Sequence, residues 1–311
     1  MKKFIVKAVT FVLLTIISLF FIITEIIPPQ FNDTYQYAIN GKYKRLVETQ
    51  SPKIIFLSGS SGAFGINEEV ISKKTNMPVV NLALHAGMGI EFECELSKAN
   101  IQKNDIVILG CEYEHWIKDP STQADLIVTG IDNNIKLYKY IPRDNMVDVV
   151  KYFPKFALTK IEYFLFNKKL ESGGVYQSSS FKDGNMIYDR PQSNFPNPST
   201  VGKLVLKNSD ISLKTVGYIN EFNTYVNNKG AKLLITFPPI ENEVLEPNTS
   251  YTQEFEKGII ENIEAPVISK IDDYIFSREY IYDTYYHCTN QGEIRRSELL
   301  ANDIVQYLNN K

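Results

Sequence analysis

Short apolar runs alternate with longer amphipathic segments over most of the chain. The runs predict five strands, at residues 53–58 (KIIFLS), 78–84 (PVVNLAL), 105–110 (DIVILG), 232–237 (KLLITF) and 266–271 (PVISKI). The other segments predict helices at residues 67–74 with Asn67 as N-cap, 89–101, 210–228, 252–263 and 291–308. This alternation predicts an α/β fold with a mostly parallel sheet covered on both faces. Right-handed crossovers place the strand carboxyl ends at one edge, where we expect the functional site.

Residues from about 118 to 208 do not follow this alternation and predict a helical or irregular insertion that caps the sheet edge. Residues 144–167 are apolar and aromatic with Pro154 in the middle, which indicates two short helices or one kinked helix. Their aromatic side chains either pack in the core or line a sugar-binding or membrane-facing surface. Further on, Asp183 and Gly184 predict the turn of a hairpin.

The N-terminus carries the pattern of a membrane anchor. Three lysines precede an uncharged apolar run at residues 8–24, and two prolines end the apolar segment. A helix needs roughly 20 residues to cross the hydrocarbon core, which this segment supplies. We expect a cytoplasmic N-terminus and signal anchor in residues 1–28, a stalk in residues 29–52 and an extracytoplasmic domain in residues 53–311. A cleaved signal peptide and a secreted protein are the alternative, although TEIIPPQ offers no small-x-small cleavage site.

Composition narrows the classes of function. The chain has 311 residues, 44% hydrophobic and 22% charged, which suits a large folded core. Its formal net charge of -3, without a basic run, argues against nucleic acid as a partner. The chain has 3 cysteines without a C-x-x-C pair and 3 histidines, so we expect no metal site. No pattern in the sequence predicts a cofactor.

A turn rich in glycine and serine, Gly59-Ser60-Ser61-Gly62, follows the first predicted strand. A serine at the amino end of the next helix lies where backbone N–H groups and the helix dipole can stabilise an oxyanion. The turn therefore offers a nucleophile, and Ser60 competes with Ser61 for that role. The alternative is a phosphate-binding or simply well-capped turn, although no G-K-[ST] follows to make a P-loop.

A second candidate lies near the other end of the chain, where Asp283 and His287 follow the last predicted strand. A serine hydroxyl becomes a good nucleophile when an imidazole takes its proton, and a carboxylate fixes the tautomer of that imidazole. Alone, His287 is more typical of a capping or core histidine. The serine turn at the same predicted sheet edge favours the catalytic interpretation, with Asp272 and Asp273 as alternative carboxylates.

Together these segments resemble the SGNH (GDSL-type) hydrolase superfamily. The resemblance is carried by the Gly-Ser-Ser turn, by residues 81–87 (NLALHAG), and by the aspartate and histidine before the closing helix. The resemblance is closest to a membrane-anchored bacterial branch of DltD-like and polysaccharide or peptidoglycan O-acetyltransferase-like proteins. It covers most of the chain outside the anchor and the insertion. It implies a flavodoxin-like three-layer α/β/α sandwich with a five-stranded sheet, and a catalytic triad of Ser61, His287 and Asp283. Backbone N–H groups of Ser61 and Gly87 would bind the oxyanion.

Two features depart from the pattern of that superfamily. Its oxyanion asparagine follows the third strand, whereas residues 109–116 read LGCEYEHW. Three residues, rather than two, separate Asp283 from His287. Polar side chains near the predicted edge are expected to bind substrate, and these are Ser60, His85, Glu112 and His115. A carboxylate beside a histidine also suits acid–base work, so Glu112, Glu114 and His115 keep that role as an alternative.

The sequence therefore predicts a membrane-anchored extracytoplasmic enzyme that transfers or removes an O-acyl group on a cell-envelope or exported polysaccharide. Acetyl is the acyl group that we expect. The expected partners are that glycan or acyl ester, the membrane, and a membrane-bound protein that exports acyl groups. The alternative is a catalytically inactive subunit of the same fold that binds glycan or assists assembly. Both departures from the family pattern fit this alternative.

Overall fold

Four parallel strands form the central sheet of the computed structural model, which describes residues 1–119, 121–170, 173–246 and 249–310. The described strands are β1 (Ile54–Leu57), β2 (Val79–Asn81), β3 (Ile106–Leu109), β4 (Phe181–Lys182), β5 (Asn185–Met186), β6 (Lys232–Ile235), β7 (Ile240–Glu241) and β8 (Ile275–Phe276). The sheet has the order β2-β1-β3-β6, and each neighbouring pair is parallel. The predicted α/β class with a mostly parallel sheet is confirmed. A hairpin joins β4 to β5, and β7 pairs with β8.

Helices pack on both faces of this sheet, and the first helix of the chain lies apart from it. They are α1 (Lys2–Phe21), α2 (Ile39–Glu48), α3 (Ser60–Ala63), α4 (Glu68–Thr75), α5 (Ile90–Ser97), α6 (Tyr113–Ile117), α7 (Ala124–Gly130), α8 (Arg143–Phe166), α9 (Leu213–Asn228), α10 (Thr249–Asn262) and α11 (Asn290–Asn309). Asn67 caps α4 as its position predicts, because its side chain accepts a hydrogen bond of 3.2 Å from the N–H of Val70.

Side chains of the central strands alternate between two cores. On one face, Ile55 and Leu57 pack with apolar residues of α5, α9 and α10. On the other face, Ile54 and Phe56 pack with residues of α4 and α11. Because helices cover both faces, strand positions on either side are apolar, which explains the continuous apolar runs in the sequence.

The predicted fifth strand, residues 266–271, is reduced to a single parallel bridge between Val267 and Ile235 in the described chain. Two residues further on in each segment, the N–H of Phe237 donates to Ser269 Oγ at 3.1 Å. A side-chain hydroxyl thus accepts the hydrogen bond that a backbone carbonyl would accept in a longer strand pairing. The prediction of a five-stranded, flavodoxin-like sheet is therefore not confirmed.

The N-terminal helix is long and apolar enough to span a membrane. This segment, Lys2–Ile26, has a mean hydropathy of 2.6 in its most apolar window, and that window is not buried against the rest of the described chain. Residues 29–52, predicted as a stalk, pack onto the domain. Ile39 and Leu46 of α2 are fully buried, since the amphipathic helix presents its apolar side to the core.

The inserted section contains α7, α8 and the β4–β5 hairpin. Pro154 lies inside α8, which continues through it as one helix. At the hairpin turn, Asp183 and Gly184 have φ angles of 52° and 90°. Both angles lie in the left-handed region that a two-residue hairpin turn requires, which explains the Asp-Gly sequence at this position.

Candidate active site

A cavity of about 530 Å³ lies where the chain leaves the carboxyl ends of β1, β2 and β3, the edge that the sequence predicts. All 3 histidines of the chain line it, namely His85, His115 and His287. Other polar side chains of its wall include Ser60, Glu112, Glu114 and Tyr176. The fold therefore gathers chemically capable side chains from distant parts of the sequence into one cavity.

Asp283 and His287 form a direct pair, with 2.8 Å between Oδ1 and Nδ1. Because a carboxylate oxygen only accepts, Nδ1 carries a proton, and the neutral ring has its lone pair on Nε2, as a general base requires. No described residue forms a hydrogen bond with Nε2. The N–H of His287 donates to Thr284 Oγ1 at 3.2 Å. This turn accommodates the three residues between the two partners.

Tyr176, from the inserted section, extends this pair. Its hydroxyl donates to Asp283 Oδ2 at 2.7 Å and lies 3.3 Å from His287 Nδ1. Burial raises the pKa of Asp283, but hydrogen bonds from His287 and Tyr176 and the charge of His287 outweigh it and lower this pKa. Asp283 is therefore ionised at neutral pH. Phe64 stacks on the imidazole of His287, with ring centroids 4.1 Å apart and planes at 5°.

The two serines of the turn have different surroundings. Ser60 lies on the cavity wall at the amino end of α3, and its hydroxyl donates to Glu112 Oε1 at 3.3 Å. Ser61 is fully buried, with its Oγ 3.0 Å from the Oγ of Ser58. Of the two candidate nucleophiles, Ser60 is the one that lines the cavity.

The carboxylate of Glu112 lies directly against the serine turn. Its Oε1 accepts a hydrogen bond of 2.7 Å from the N–H of Ser61. Glycine at position 59 permits this approach, since a Cβ there would lie 2.8 Å from the carboxylate atoms. The Ser61 N–H, predicted as an oxyanion donor, is thus already engaged by Glu112.

The other predicted oxyanion donor is also engaged, because the N–H of Gly87 donates to His85 Nδ1 at 3.0 Å. Since Nδ1 accepts, the proton of the neutral ring is on Nε2. Burial lowers the pKa of His85, so this ring is neutral at neutral pH although the charge of Glu112 acts in the opposite direction. His85 therefore offers an N–H donor to the cavity that it lines. Gly87 itself lines an adjoining cavity of about 170 Å³.

Glu114 is held by two tyrosines of the loop that carries His287. The hydroxyls of Tyr285 and Tyr286 each donate to one oxygen of this carboxylate, both at 2.6 Å. His115 lies beside it, with Nε2 3.4 Å from the carbonyl oxygen of Ala86. The predicted substrate-binding residues thus line the main cavity, and His115 and Glu114 also line the adjoining one.

Among the cavity residues that sequence reasoning missed are Tyr35 and Tyr176. They come from the segments predicted as stalk and cap, and no local pattern distinguishes either tyrosine from a surface residue. The signal for Tyr285 and Tyr286 was available, because they directly precede His287. Of the alternative carboxylates for the histidine, the structure pairs His287 with Asp283.

Among the described residues, no group of three or more His, Cys, Asp or Glu side chains is arranged to hold a metal ion. The three cysteines are free and buried. A scan against protein-family models found no match, and a search of curated proteins found none either. The likeness to SGNH hydrolases therefore stays a prediction from the quoted residues.

Proposed function

We propose that this chain is a membrane-anchored extracytoplasmic serine enzyme that transfers or hydrolyses an O-acyl group, such as acetyl, on a cell-envelope or exported polysaccharide. The observation that carries the proposal is the hydrogen-bonded pair of Asp283 and His287 on the same cavity as Ser60. The tyrosine rings of this cavity, next to carboxylates and imidazoles, suit a sugar with apolar ring faces and polar edges. The apolar helix α1 supports attachment to a membrane.

In this proposal Ser60, rather than the buried Ser61, is the nucleophile. Once Glu112 releases the Ser60 hydroxyl, His287 Nε2 takes its proton, and Ser60 Oγ bonds to the acyl carbonyl carbon. His85 Nε2–H donates to the oxyanion in place of the absent asparagine, together with N–H groups at the start of α3. The carbonyl then re-forms, the bond to the alkoxide oxygen breaks, and His287 returns the proton to that oxygen.

The second half of the reaction releases the acyl group from Ser60. His287 takes a proton from an acceptor hydroxyl, whose oxygen attacks the acyl-enzyme carbonyl, and the proton returns to Ser60 Oγ. A sugar hydroxyl as acceptor makes the chain a transferase, and water makes it an esterase. Exclusion of water from the cavity during this step favours transfer.

A specific observation favours a second candidate function, an inactive subunit that binds glycan. Both predicted oxyanion donors are engaged by side chains of the same cavity, the Ser61 N–H by Glu112 and the Gly87 N–H by His85. A cavity that keeps these contacts when ligand binds retains its polar and aromatic lining for sugar recognition but lacks transition-state stabilisation.

The test is acetylation of the full chain in detergent micelles by an activated acetyl ester, followed by intact-mass and peptide analysis. We expect one acetyl group on Ser60, or steady ester turnover, with a loss of roughly a hundredfold or more in Ser60→Ala and His287→Ala. Ser61→Ala is the matched control and keeps most of the reactivity. Loss in Ser61→Ala alone assigns the nucleophile to Ser61. Equal behaviour of all four proteins rejects catalysis and leaves glycan binding.

A further inference from the structure

Away from the candidate active site, a cavity of about 640 Å³ lies between α1 and α8. One wall consists of Ile16, Leu19 and Phe20 of α1 and of Ile23, which follows α1. The facing wall of α8 is also apolar and includes Val149, Val150, Phe153 and Ala157. Tyr138 also lines the cavity, and its buried hydroxyl has no hydrogen-bond partner among the described residues. An open space with this lining suits an apolar chain that carries a polar acceptor near one end.

The contacts of α1 determine how deep this cavity lies relative to a membrane. Its α1 wall belongs to the last turns of the uncharged run, and the rise from residue 16 to residue 24 is about 12 Å. Phe20 lies against both Phe153 and Tyr138, with ring centroids 5.1 Å and 5.4 Å apart. Phe20 is four residues, or about 6 Å, from the end of the uncharged run, so if α1 spans a bilayer, α8 contacts it near the boundary between headgroups and acyl chains.

The outer surface of α8 continues the apolar lining of the cavity. Val147, Val150 and Leu158 are 61%, 63% and 70% exposed. Their spacing of three and eight residues places them on one side of a helix, and Val150 also lines the cavity. Lys151 and Lys155 are exposed next to this stripe. The result is the pattern of a helix that lies in a membrane interface.

Charge near this stripe complements an anionic lipid surface. Within residues 135–156 the exposed basic side chains are Lys136, Lys139, Arg143, Lys151 and Lys155. The same segment has two acidic residues, Asp144 and Asp148. Basic residues close to an anionic membrane surface are attracted to its headgroups by about 1 kcal/mol each, although Lys151 already pairs with Asp148 at 3.3 Å. The excess of positive charge thus favours an anionic lipid bilayer, rather than a protein surface with few acidic residues, as the occupant of this face.

We propose that the part of α8 from Arg143 to Leu158 lies in the boundary between headgroups and acyl chains, and that a phospholipid acyl chain fills the cavity between α8 and α1. Interfacial helices typically bury their apolar face by about 5–10 Å, which agrees with the depth of the contacts with α1. The proposal rests on the membrane anchorage of the proposed function and is independent of its serine chemistry.

The test uses full-length protein in phospholipid vesicles with one nitroxide label at a time. Val150→Cys and Leu158→Cys place labels on the stripe, Phe11→Cys places one on α1, and Ile260→Cys places one on an exposed apolar position of α10. The native cysteines are buried, so the folded chain keeps the label at the introduced position. Collisions with lipid-soluble oxygen and with a water-soluble nickel complex report the surroundings of each label.

We expect the labels at Val150 and Leu158 to collide rarely with the nickel complex and often with oxygen, as the label at Phe11 does. The label at Ile260 should show the opposite pattern. Collisions with nickel at Val150 and Leu158 to the same extent as at Ile260 overturn the proposal while leaving the anchor intact. Protection from both reagents also overturns it, because another protein then covers the stripe. Exposure of Phe11 itself to nickel removes the anchor on which the proposal rests. None of these outcomes depends on the acetylation of Ser60.

Discussion

At the level of single residues, the acid–base pair depends on a tyrosine from the insertion. We predict that Tyr176→Phe raises the pKa of Asp283, because the Asp283 carboxylate loses a hydrogen-bond donor at 2.7 Å. A carboxylate with a lowered pKa keeps its charge until the pH falls through that pKa. The lower part of the acid limb of the pH profile for acetylation, which follows protonation of Asp283 and not of His287, therefore moves to higher pH, and the rate at neutral pH falls by roughly threefold to tenfold.

The control for this substitution is Tyr188→Phe, which removes a hydroxyl from the same insertion but from the wall of another cavity. We expect it to leave both the acid limb and the rate unchanged. An unchanged acid limb in Tyr176→Phe would contradict the role given to the tyrosine, even if the rate falls. Thermal unfolding of both variants separates a local effect from a loss of the fold.

Sequence could identify some residues of the site and not others for physical reasons. His287 and Asp283 are four positions apart, so a local turn can bring them together and the pattern is visible. Tyr176 lies 107 positions from Asp283, and its place is determined by how the insertion packs. The choice between Ser60 and Ser61 depends on side-chain direction at the first turn of α3, which a sequence of glycines and serines does not determine.

At the level of elements, the strands with both faces buried could be predicted, and so could the Asp-Gly hairpin. Their signals are local, since they are continuous apolar runs and left-handed turn residues. The fifth strand could not be predicted correctly, because its pairing ends where Ser269 accepts the N–H of Phe237. Serine is compatible with either outcome, so the difference between a strand and a single bridge arises from tertiary contacts.

A buried lysine joins three of these elements and gives a second prediction. Lys42 of α2 donates to the carbonyl oxygens of Asn81, at the end of β2, and of Gly184, in the hairpin turn. Burial lowers the pKa of Lys42 to about 8, although Glu68 and Glu93 act in the opposite direction. In the unfolded chain the pKa of a lysine side chain is about 10.4. Above about pH 8 the unfolded state therefore binds more protons than the folded state.

The free energy of unfolding should consequently rise with pH between about pH 8 and pH 10, by up to roughly 1.4 kcal/mol per unit for this group. Below about pH 8 both states are protonated, and the contribution of Lys42 does not change with pH. We predict that Lys42→Met loses this rise. Denaturant unfolding of both proteins across this range measures the difference, in which the other titrating groups cancel. Parallel curves for the two proteins would show that Lys42 keeps its ordinary pKa.

At the level of the whole molecule, the apolar N-terminal segment is joined to the domain by buried contacts. The Nζ atom of Lys160 in α8 donates to the carbonyl oxygen of Ile23 and pairs with Asp132 Oδ1, both at 2.6 Å. Asp132 Oδ2 accepts from the N–H of Gln30 at 2.7 Å. The domain therefore has a fixed orientation relative to α1. The sequence predicted a stalk here because no local pattern indicates that an anchor end packs onto a distant helix.

This buried pair gives the last prediction. Lys160→Met leaves the Asp132 carboxylate buried and without its lysine, which costs about 3–5 kcal/mol of unfolding free energy. Lys168→Met is the matched control, because Lys168 forms an exposed pair with Glu162 and its removal costs less than about 1 kcal/mol. Unfolding of both variants in micelles measures these costs, and limited proteolysis near residues 27–31 reports whether the anchor end has separated from α8. Equal costs and equal cleavage would mean that the domain is not held to its anchor by Lys160. A larger cost with faster cleavage in Lys160→Met alone would show that one buried lysine determines how the cavity with Ser60 is oriented relative to α1.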